Sequence, residues 1–319
     1  MTESIATYPI RPLRTAFDIL ACYAVIALAI ASVYLVSWWL YPLAALIVAN
    51  RILALSLLCH EGLHANLHPN MKVNDFVGRY FCAFPTFISF SKYRRLHLLH
   101  HGTVGSEKWD PDRHLYASYP VKFSSFLWIQ FSRLVTLRTL IDFFIYYTEI
   151  PELLSRKRLA NGKLFALSSR SDLIPFLIFH AVVLSTVFSL GYGIDYLLLI
   201  TLPVVLITQP YVLLMGGLQH GPVRAVSSSG VSRTIRGSKI YMWLLLPVDI
   251  CFHGEHHKNA SVPHYWLKKY AHDLEAGGET LWKSSYREAL VDLFAKPKDV
   301  ASNKAEWLER AETRIQKKA

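Results

Sequence analysis

The stretch Tyr93–His101 reads Tyr-Arg-Arg-Leu-His-Leu-Leu-His-His, and the rest of the chain is best interpreted outward from it. If this stretch is helical, His97, His100 and His101 stand at positions i, i+3 and i+4, so three imidazoles share one face. Three neutral imidazoles on one face are typical of a site for a borderline transition metal. The stretch therefore predicts a helix that carries metal ligands.

Two further histidine clusters occur in the chain. The segment His253–His257 repeats the spacing of the first cluster, and His60 and His64 form an i, i+4 pair. Together with His220, the clusters supply nine imidazoles. Nine nitrogen ligands exceed the coordination of one metal, but they suit two metals with open positions left for oxygen. All-nitrogen sites of this kind favour iron, copper or zinc over magnesium or calcium.

Acidic residues lie close to the histidines in sequence. Glu61, Asp110, Asp112 and Glu255 could each accept the second ring N–H of a ligating histidine and so fix its tautomer. We therefore predict that these four carboxylates surround the metal ligands.

The composition favours a membrane protein. The 319 residues are 52% hydrophobic and carry a formal net charge of +11, and the mean hydropathy is +0.26. A basic chain could bind nucleic acid, an anionic membrane or an acidic protein. With this much apolar sequence we expect contact with membrane lipids and no nucleic-acid partner. The four cysteines show no metal-binding spacing and are predicted to be small core residues.

Four apolar runs are long enough to cross a bilayer as helices. They are Ile19–Val36 and Pro42–Cys59, which form a first hairpin over 19–58, and Leu173–Leu190 and Tyr196–Leu218, which form a second hairpin over 173–218. The short loops Ser37–Tyr41 and Gly191–Asp195 contain no Lys or Arg. By the positive-inside rule, both termini and all three histidine clusters should be cytoplasmic.

One charge interrupts the second run. Arg51 should snorkel, pair with a carboxylate or face the protein interior, because an arginine within a span is costly. A role in binding the head group of a substrate also stays open.

Several segments are too short or too charged to span. Phe81–Phe90, Val121–Ile150 and Ile240–Phe252 are expected at the membrane interface. Residues 273–319 should form a charged cytoplasmic tail, with Glu306–Lys317 as a solvated helix. The predicted fold is thus one all-α integral membrane domain over 1–319. It has about four transmembrane helices and a cytoplasmic cap of interfacial helices that carries the histidine clusters.

Five histidines lie outside the predicted ligand set. His180 is expected in the apolar core, and His114, His264 and His272 are expected on the surface or in loops. His68 stands at i+4 from His64 and could extend that face, although Pro69 should end the helix there.

Two other kinds of protein could use some of these residues. His60-Glu61-Gly62-Leu63-His64 fits H-E-x-x-H, the signature of zinc metalloproteases, with Glu61 as general base. That hypothesis leaves the two clusters of three histidines unexplained. A metal or haem carrier should place its histidines within the spans rather than outside them.

The layout resembles the integral-membrane fatty acid desaturase and hydroxylase family. The three histidine boxes of that family match His60/His64, His97/His100/His101 and His253/His256/His257, and its additional ligand resembles His220. The resemblance covers roughly residues 19–263. Gln219 stands where an acidic residue is common, and Cys251-Phe252 precede the third box where an asparagine or tyrosine is expected nearby.

This resemblance implies a di-iron enzyme with two Fe ions and O₂ as co-substrate. Its catalytic and metal-ligating residues would be the nine histidines. It would oxidise an aliphatic C–H bond in a long-chain lipid, foremost a fatty acyl chain; a carotenoid or sphingoid-base hydroxylase or ketolase is the alternative within the same superfamily. The sequence contains no motif for its own haem or iron–sulfur cluster, so electrons should come from a separate ferredoxin or cytochrome b5 type of protein.

Overall fold

The computed structural model describes residues 8–138, 141, 172–221, 231–279 and 281–294. In chain order its principal helices and strands are α1 (Pro12–Leu35), α2 (Tyr41–Leu63), α3 (Met71–Val77), α4 (Phe90–Thr103), α5 (Phe123–Val135), α6 (Leu173–Ser189), α7 (Gly193–His220), β1 (Arg233–Arg236), α8 (Lys239–Leu245), α9 (His253–Lys258), α10 (His264–Ala276), β2 (Trp282–Ser285) and α11 (Tyr286–Phe294).

Helices α1 and α2 form the predicted first hairpin. Pro12 begins α1, where its missing N–H has no partner to lose. One face of α1 is buried, with Ile19, Cys22 and Ile26 against α2, while Leu20 and Leu28 on other faces are exposed. Helix α2 is the central element of the molecule, because 67% of its most apolar window is buried against 22% for α1 and for α7.

Three helices in the described part of the chain are long and apolar enough to cross a membrane: Pro12–Leu35, Trp38–Leu63 and Gly193–His220. The predicted third crossing is the shorter α6, of 17 residues. The structure therefore supports a helical membrane protein with three candidate spans, and the total of four stays a prediction.

Helix α7 is irregular along its middle. Residues Leu197–Thr201 and Val204–Thr208 adopt π-helical turns on either side of Pro203. A proline inside a helix lacks the N–H for the i→i−4 bond, and wider turns of this kind accommodate such a defect. The helix recovers regular geometry over Gln209–His220, and its last residue is the predicted ligand His220.

A small cap covers the end of the bundle where α2 and α7 finish. It contains α9, α10 and a parallel pair of strands, in which Arg233 of β1 is paired with Trp282 of β2 and Arg236 with Ser285. The prediction of an all-helical fold missed this sheet, because neither four-residue strand alternates clearly between polar and apolar residues.

The segment after residue 280 differs from the expected charged tail. Over 281–294 it forms β2 and α11, and Ala289 and Leu293 of α11 are fully buried against α7 and β1. The predicted helix Glu306–Lys317 lies outside the described residues. So does the part of Val121–Ile150 that follows residue 138, apart from Ile141.

The four cysteines are buried and unpaired, as their positions in apolar runs predicted. Of the three predicted interfacial segments, the structure describes Phe81–Phe90 and Ile240–Phe252 in full and Val121–Ile150 in part. Within Ile240–Phe252, α8 exposes Ile240, Tyr241 and Trp243, which suits a helix at a membrane interface.

Candidate metal centre

The nine predicted ligands converge at one end of the bundle. Four helices bring them there: His60 lies in the last turn of α2 with His64 just after it, the second cluster lies in α4, His220 ends α7, and the third cluster lies in α9. Eight of the nine fall into two groups of potential metal-binding atoms. The five-histidine group is His60, His64, His97, His101 and His256, and the three-histidine group is His100, His220 and His257.

The ninth histidine adjoins the three-histidine group. The Nε2 atoms of His253 and His220 are 2.9 Å apart. The two groups are themselves neighbours, since the rings of His101 and His257 stack with their centroids 4.2 Å apart. The arrangement is therefore one continuous centre with two sub-sites.

The five-histidine group contains a row of close nitrogen contacts. The Nε2 atom of His97 lies 2.9 Å from those of His64 and His101, and the Nε2 atom of His101 lies 3.1 Å from that of His256. Two nitrogens that bind one metal at about 2.1 Å and at right angles to each other are about 3.0 Å apart. The spacing therefore matches the edges of a coordination polyhedron.

Hydrogen bonds alone do not account for this row. A neutral imidazole nitrogen carries either one proton or one lone pair, so each nitrogen can make one good N–H···N bond. Since His97 and His101 each contact two others, at most two of the three contacts can be hydrogen bonds. A shared cation removes the conflict, because all four nitrogens can then direct lone pairs at it. The donor set thus fits a metal.

Burial keeps these imidazoles neutral. It lowers the pKa of His97, His101, His256 and His257 well below the usual histidine value, and neighbouring histidines lower it further. The pKa of His64 falls to about 4 for the same principal reason. A neutral imidazole with a free lone pair is the form that binds a metal, so the group is ready to bind one at neutral pH.

Asp110 anchors the three-histidine group. Its Oδ1 lies 2.8 Å from Nδ1 of His100, so the carboxylate accepts that N–H and leaves Nε2 of His100 with a lone pair. Although burial opposes it, this hydrogen bond raises the pKa of His100. Asp110 is fixed in turn by the Gly105 amide at 2.8 Å and by the hydroxyl of Tyr116. Sequence reasoning missed Tyr116, which no spacing rule connects to Asp110.

His220 is oriented by the backbone. Its Nδ1 lies 3.2 Å from the carbonyl oxygen of Val231 and can donate to it. Asp112 was also predicted to accept from a ligand, but its carboxylate stays 3.9 Å from Nδ1 of His100. Instead its amide donates to Oδ1 of Asp110 at 2.9 Å.

Contrary to the prediction, Glu61 does not accept a hydrogen bond from a ligating histidine. Its carboxylate is 3.9 Å from Nδ1 of His60, too far for a hydrogen bond. Its Oε2 accepts from the amide of His264 at 2.9 Å and from Nδ2 of Asn66 at 3.3 Å. These bonds join the end of α2 to the start of α10. A general base of a zinc protease should instead face the metal, so this arrangement does not favour that alternative.

The expectation that His264 is a surface or loop residue is wrong, because His264 is the first residue of α10. His264 is buried between carboxylates, with Nε2 3.3 Å from Asp18 and Nδ1 3.6 Å from Asp249. Although burial acts in the opposite direction, these carboxylates raise the pKa of His264 to about 9. An isolated histidine with no neighbouring motif gave no signal of this role.

Glu255 connects the third cluster to the sheet. It accepts a hydrogen bond from the hydroxyl of Thr234 in β1 and contacts no histidine nitrogen within hydrogen-bond distance in the described chain. Gly254 permits this close packing of α9 on β1, because a Cβ there would lie 2.8 Å from Oγ1 of Thr234. The strand thereby fixes the position of α9.

Arg94 fixes the first cluster relative to the second. From α4 it donates to the carbonyl of Gly62 at 2.7 Å and to both carboxylate oxygens of Asp75, at 2.7 and 2.9 Å. This bidentate geometry is the strong form of an arginine–carboxylate pair. The arginine pair that precedes the second cluster therefore includes a structural link between α2 and α4.

His68 lies off the helical face that it could have extended. Helix α2 ends earlier than Pro69 would require, because Ala65 adopts a left-handed conformation with φ 65°. The Asn66 amide bonds to the carbonyl of Glu61 and the Ala65 amide to that of Gly62, a Schellman-type ending. His68 then accepts from the Asn70 amide at 2.9 Å and belongs to neither histidine group.

His180 packs against aromatic rings, as expected of a core residue. Its ring is stacked on Phe87 with centroids 4.9 Å apart and contacts Phe176 edge-on. His114 and His272 are exposed, as predicted.

Comparisons with known proteins agree with this geometry. The family model for fatty acid desaturases matches residues 36–284. A dihydrorhizobitoxine desaturase from Bradyrhizobium elkanii is 40% identical over 91 residues, which are 28% of this chain and 26% of that protein. The matched region thus spans about a quarter of the relative's length.

The family match covers most of the chain, and the chain belongs to the fatty acid desaturase family. The predicted resemblance, and with it the prediction of a desaturase-like oxidoreductase, is confirmed at the level of the family.

Proposed function

We propose that this protein is a membrane enzyme that uses two iron ions and O₂ to oxidise an aliphatic C–H bond, with desaturation as its main reaction. The observation that carries the proposal is the row of Nε2 atoms at 2.9–3.1 Å in the five-histidine group, beside a second group of the same ligand type. Nine imidazole nitrogens supply ligands for two metals, and such all-nitrogen sites suit iron.

The reaction balances with an external reductant. Desaturation converts two adjacent CH₂ groups to an alkene, while O₂ takes up those two hydrogens, two electrons and two protons to give two waters. Hydroxylation would place one oxygen atom in the C–H bond and release one water. The electrons come from a separate donor protein of the ferredoxin or cytochrome b5 type.

Iron bound here would supply the activation of O₂ and the removal of hydrogen. The protein's own residues position and protect that chemistry. The histidines would hold the ions through ring nitrogens, and Asp110 keeps His100 in the tautomer with Nε2 free. Burial of His97, His100 and His256 excludes water.

A long-chain lipid, foremost a fatty acyl chain, is the proposed substrate. The histidine groups lie at one end of helices whose outer surfaces expose Leu20, Leu28 and Ile178, as expected of helices in lipid. We further propose that this end faces the cytoplasm, because the loops at the opposite end lack positive charge. We also propose that residues 1–319 act as one domain, because the first and second halves of the described chain share their apolar clusters.

Metal analysis and turnover test the proposal together. Purified protein should contain about two irons per chain, and membranes given O₂, a reduced donor and a long-chain lipid should form an alkene or an alcohol. Product should disappear under argon and without donor. A single zinc per chain, or product made anaerobically, would contradict the proposal.

Cysteine labelling tests the orientation. Lys108 and Tyr192 are exposed at opposite ends of the bundle, and the native cysteines are buried. Lys108→Cys should react with a membrane-impermeant reagent from the cytoplasmic side, and Tyr192→Cys should react from the other side. Labelling of both from one side would show that the topology is wrong.

A further inference from the structure

A cavity of about 650 Å³ lies between α1, α2, α8 and α10, beside the histidine groups but not made of them. Its wall includes Leu58, Cys251 and Phe252, which stand one or two residues before His60 and His253. The cavity therefore extends to the edge of the proposed metal centre. Its size is that of a small-molecule site.

Positive charge predominates along the wall. Five arginines and lysines line the cavity against three carboxylates: Arg14, Arg51, Arg236, Lys239 and Lys268 against Asp18, Asp249 and Glu275. All three carboxylates already have cationic partners. Asp18 pairs with Arg14 at 2.9 Å, Glu275 pairs with Arg236, and Asp249 lies 3.6 Å from Nδ1 of His264. The excess of positive charge is thus suited to an anionic group, and the apolar residues of the wall can contact a hydrocarbon.

Arg51 is the most deeply buried of these cations, with 6% of its surface exposed. Its Nε donates to Oδ1 of Asn50 at 2.9 Å, Nη2 reaches the carbonyl of Trp243 at 3.3 Å, and the guanidinium lies 4.1 Å from the centroid of the Trp243 ring. Throughout the described chain, no carboxylate lies within ion-pair distance of Arg51. A buried charge is normally paired with an opposite charge. In the described structure, Arg51 is an exception to this rule.

Docking of α8 accounts for only part of this arrangement. Nδ2 of Asn50 binds the carbonyl of Leu244 at 2.6 Å, and Arg51 binds that of Trp243, so both side chains satisfy carbonyls at the C-terminus of α8. Asn50 makes its bond as a neutral side chain, so docking of α8 does not require a positive charge. The partial negative charge at the C-terminus of α8 offsets the charge of Arg51 only in part. The guanidinium therefore needs a further partner.

The backbone of the cavity wall is strained. Val248 and Asp249 both line it, and both have positive φ values, 58° and 49°. Positive φ is a genuine outlier for a β-branched residue. Strained backbone of this kind is concentrated at binding and catalytic sites.

We propose that this cavity binds the substrate through a terminal carboxylate, with Arg51 as its counter-ion. The substrate class is thus an amphiphilic free carboxylic acid rather than an ester or thioester. A single guanidinium balances the single charge of a carboxylate and can bind it in bidentate fashion. The identity of the ligand as the substrate rests on the proposed oxidase function, whereas the binding itself does not.

Binding measurements separate the charge of Arg51 from its structural role. The full chain, as purified and in neutral phosphatidylcholine nanodiscs under argon, is titrated with a long-chain fatty acid and with its methyl ester. The wild type should bind the acid at least about ten-fold more tightly, as expected for one charge-assisted hydrogen bond. Arg51→Gln should abolish this preference.

Lys239→Gln is the matched control. It removes another positive charge from the cavity wall, at an exposed position, and leaves Arg51 and its partner Asn50 in place, so the preference for the acid should persist. Equal binding of acid and ester by the wild type would overturn the proposal, even if Arg51→Gln does not fold. Loss of the preference in Lys239→Gln as in Arg51→Gln would also overturn it.

Competition with a membrane lipid and the metal content of the protein complete the test. Displacement of the acid by phosphatidylglycerol at equal concentration would assign the cavity to an anionic membrane lipid and contradict the proposal. Because no turnover occurs without O₂ and donor, failure of these titrations leaves the oxidase function intact. Conversely, acid binding by a protein that contains a single zinc would support the proposed carboxylate site and contradict the proposed oxidase function.

Discussion

The two histidine groups are held in place in different ways. In the five-histidine group the imidazoles from α2, α4 and α9 pack against each other, and Nδ1 of His60 and of His256 has no hydrogen-bond partner in the described part of the chain. In the three-histidine group, by contrast, His100 is bonded to Asp110 and His220 lies against the Val231 carbonyl. Helix packing positions the first group, and outer hydrogen bonds position the second.

This difference bears on what each group tolerates. The five ligands of the first group come from three helices, so its geometry depends on those helices meeting correctly. The second group depends more on the residues that hydrogen-bond to its ligands. The sub-sites should therefore respond differently to changes in outer hydrogen bonds and in packing.

Removal of a ligand should have the largest effect. His97→Ala deletes the middle of the nitrogen row, and His220→Ala deletes one of the few ligands of the other group. Each should lose at least one iron per chain and all measurable activity. Iron analysis of the purified variants checks this, with His180→Ala and His68→Ala as controls that keep both irons. Full iron content in His97→Ala or in His220→Ala would refute the division of ligands between two sub-sites.

Changes to outer carboxylates should rank next. Asp110→Asn should reduce iron affinity or activity on the order of 10–100-fold. An asparagine offers His100 either an uncharged acceptor or, with its amide flipped, an N–H donor that favours the other tautomer. Glu61→Gln should have a smaller effect, since Glu61 joins α2 to α10 and lies 3.9 Å from His60. Side-by-side iron titrations compare the two. Abolished turnover in Glu61→Gln with metal retained would instead indicate a general base, as in a zinc protease.

A packing change should have the smallest effect of the three. Gly254→Ala places a Cβ 2.8 Å from Oγ1 of Thr234 and should push α9 away from β1, with partial loss of iron from both groups because α9 contributes to each. Gly102→Ala, in α4 beside His101, is the matched control because its Cβ meets nothing within 4 Å. The free energy of unfolding and the iron content report the outcome. Equal behaviour of the two variants would show that contact with β1 does not position α9.

The sequence predicted the convergence of the histidine clusters better than it predicted the residues that hold those clusters in place. Spacing of i, i+3 and i+4 is a local property of a helix, so residues such as His97 and His101 could be assigned to one face directly. The end of α2 could not be predicted, because Ala65 is neither glycine nor asparagine and carries no signal for the left-handed conformation. His264 contacts Asp18, which is distant in sequence, and Tyr116 contacts Asp110 at a spacing that no recurrent motif predicts.

The sheet was missed for a related reason. Arg233–Arg236 and Trp282–Ser285 are four residues each, and their pairing depends on a contact between segments far apart in the chain. The charge of Arg51 was recognised as costly, but sequence could not decide between a side chain that snorkels, one that is paired, one that faces the protein interior and one that binds a substrate head group. The described structure contains no carboxylate paired with Arg51 and places the residue in the cavity wall.

The pairing of β1 with β2 has a consequence for the order in which the protein matures during synthesis. The third histidine cluster packs on β1 through Gly254 and Glu255, yet β1 acquires its neighbouring strand only when Trp282–Ser285 has been made. A nascent chain that ends before Trp282 already contains all nine histidines but lacks that strand. Metal loading should therefore be a late event in biogenesis. Chains truncated at residue 281 should insert into the membrane but bind less than the full complement of iron.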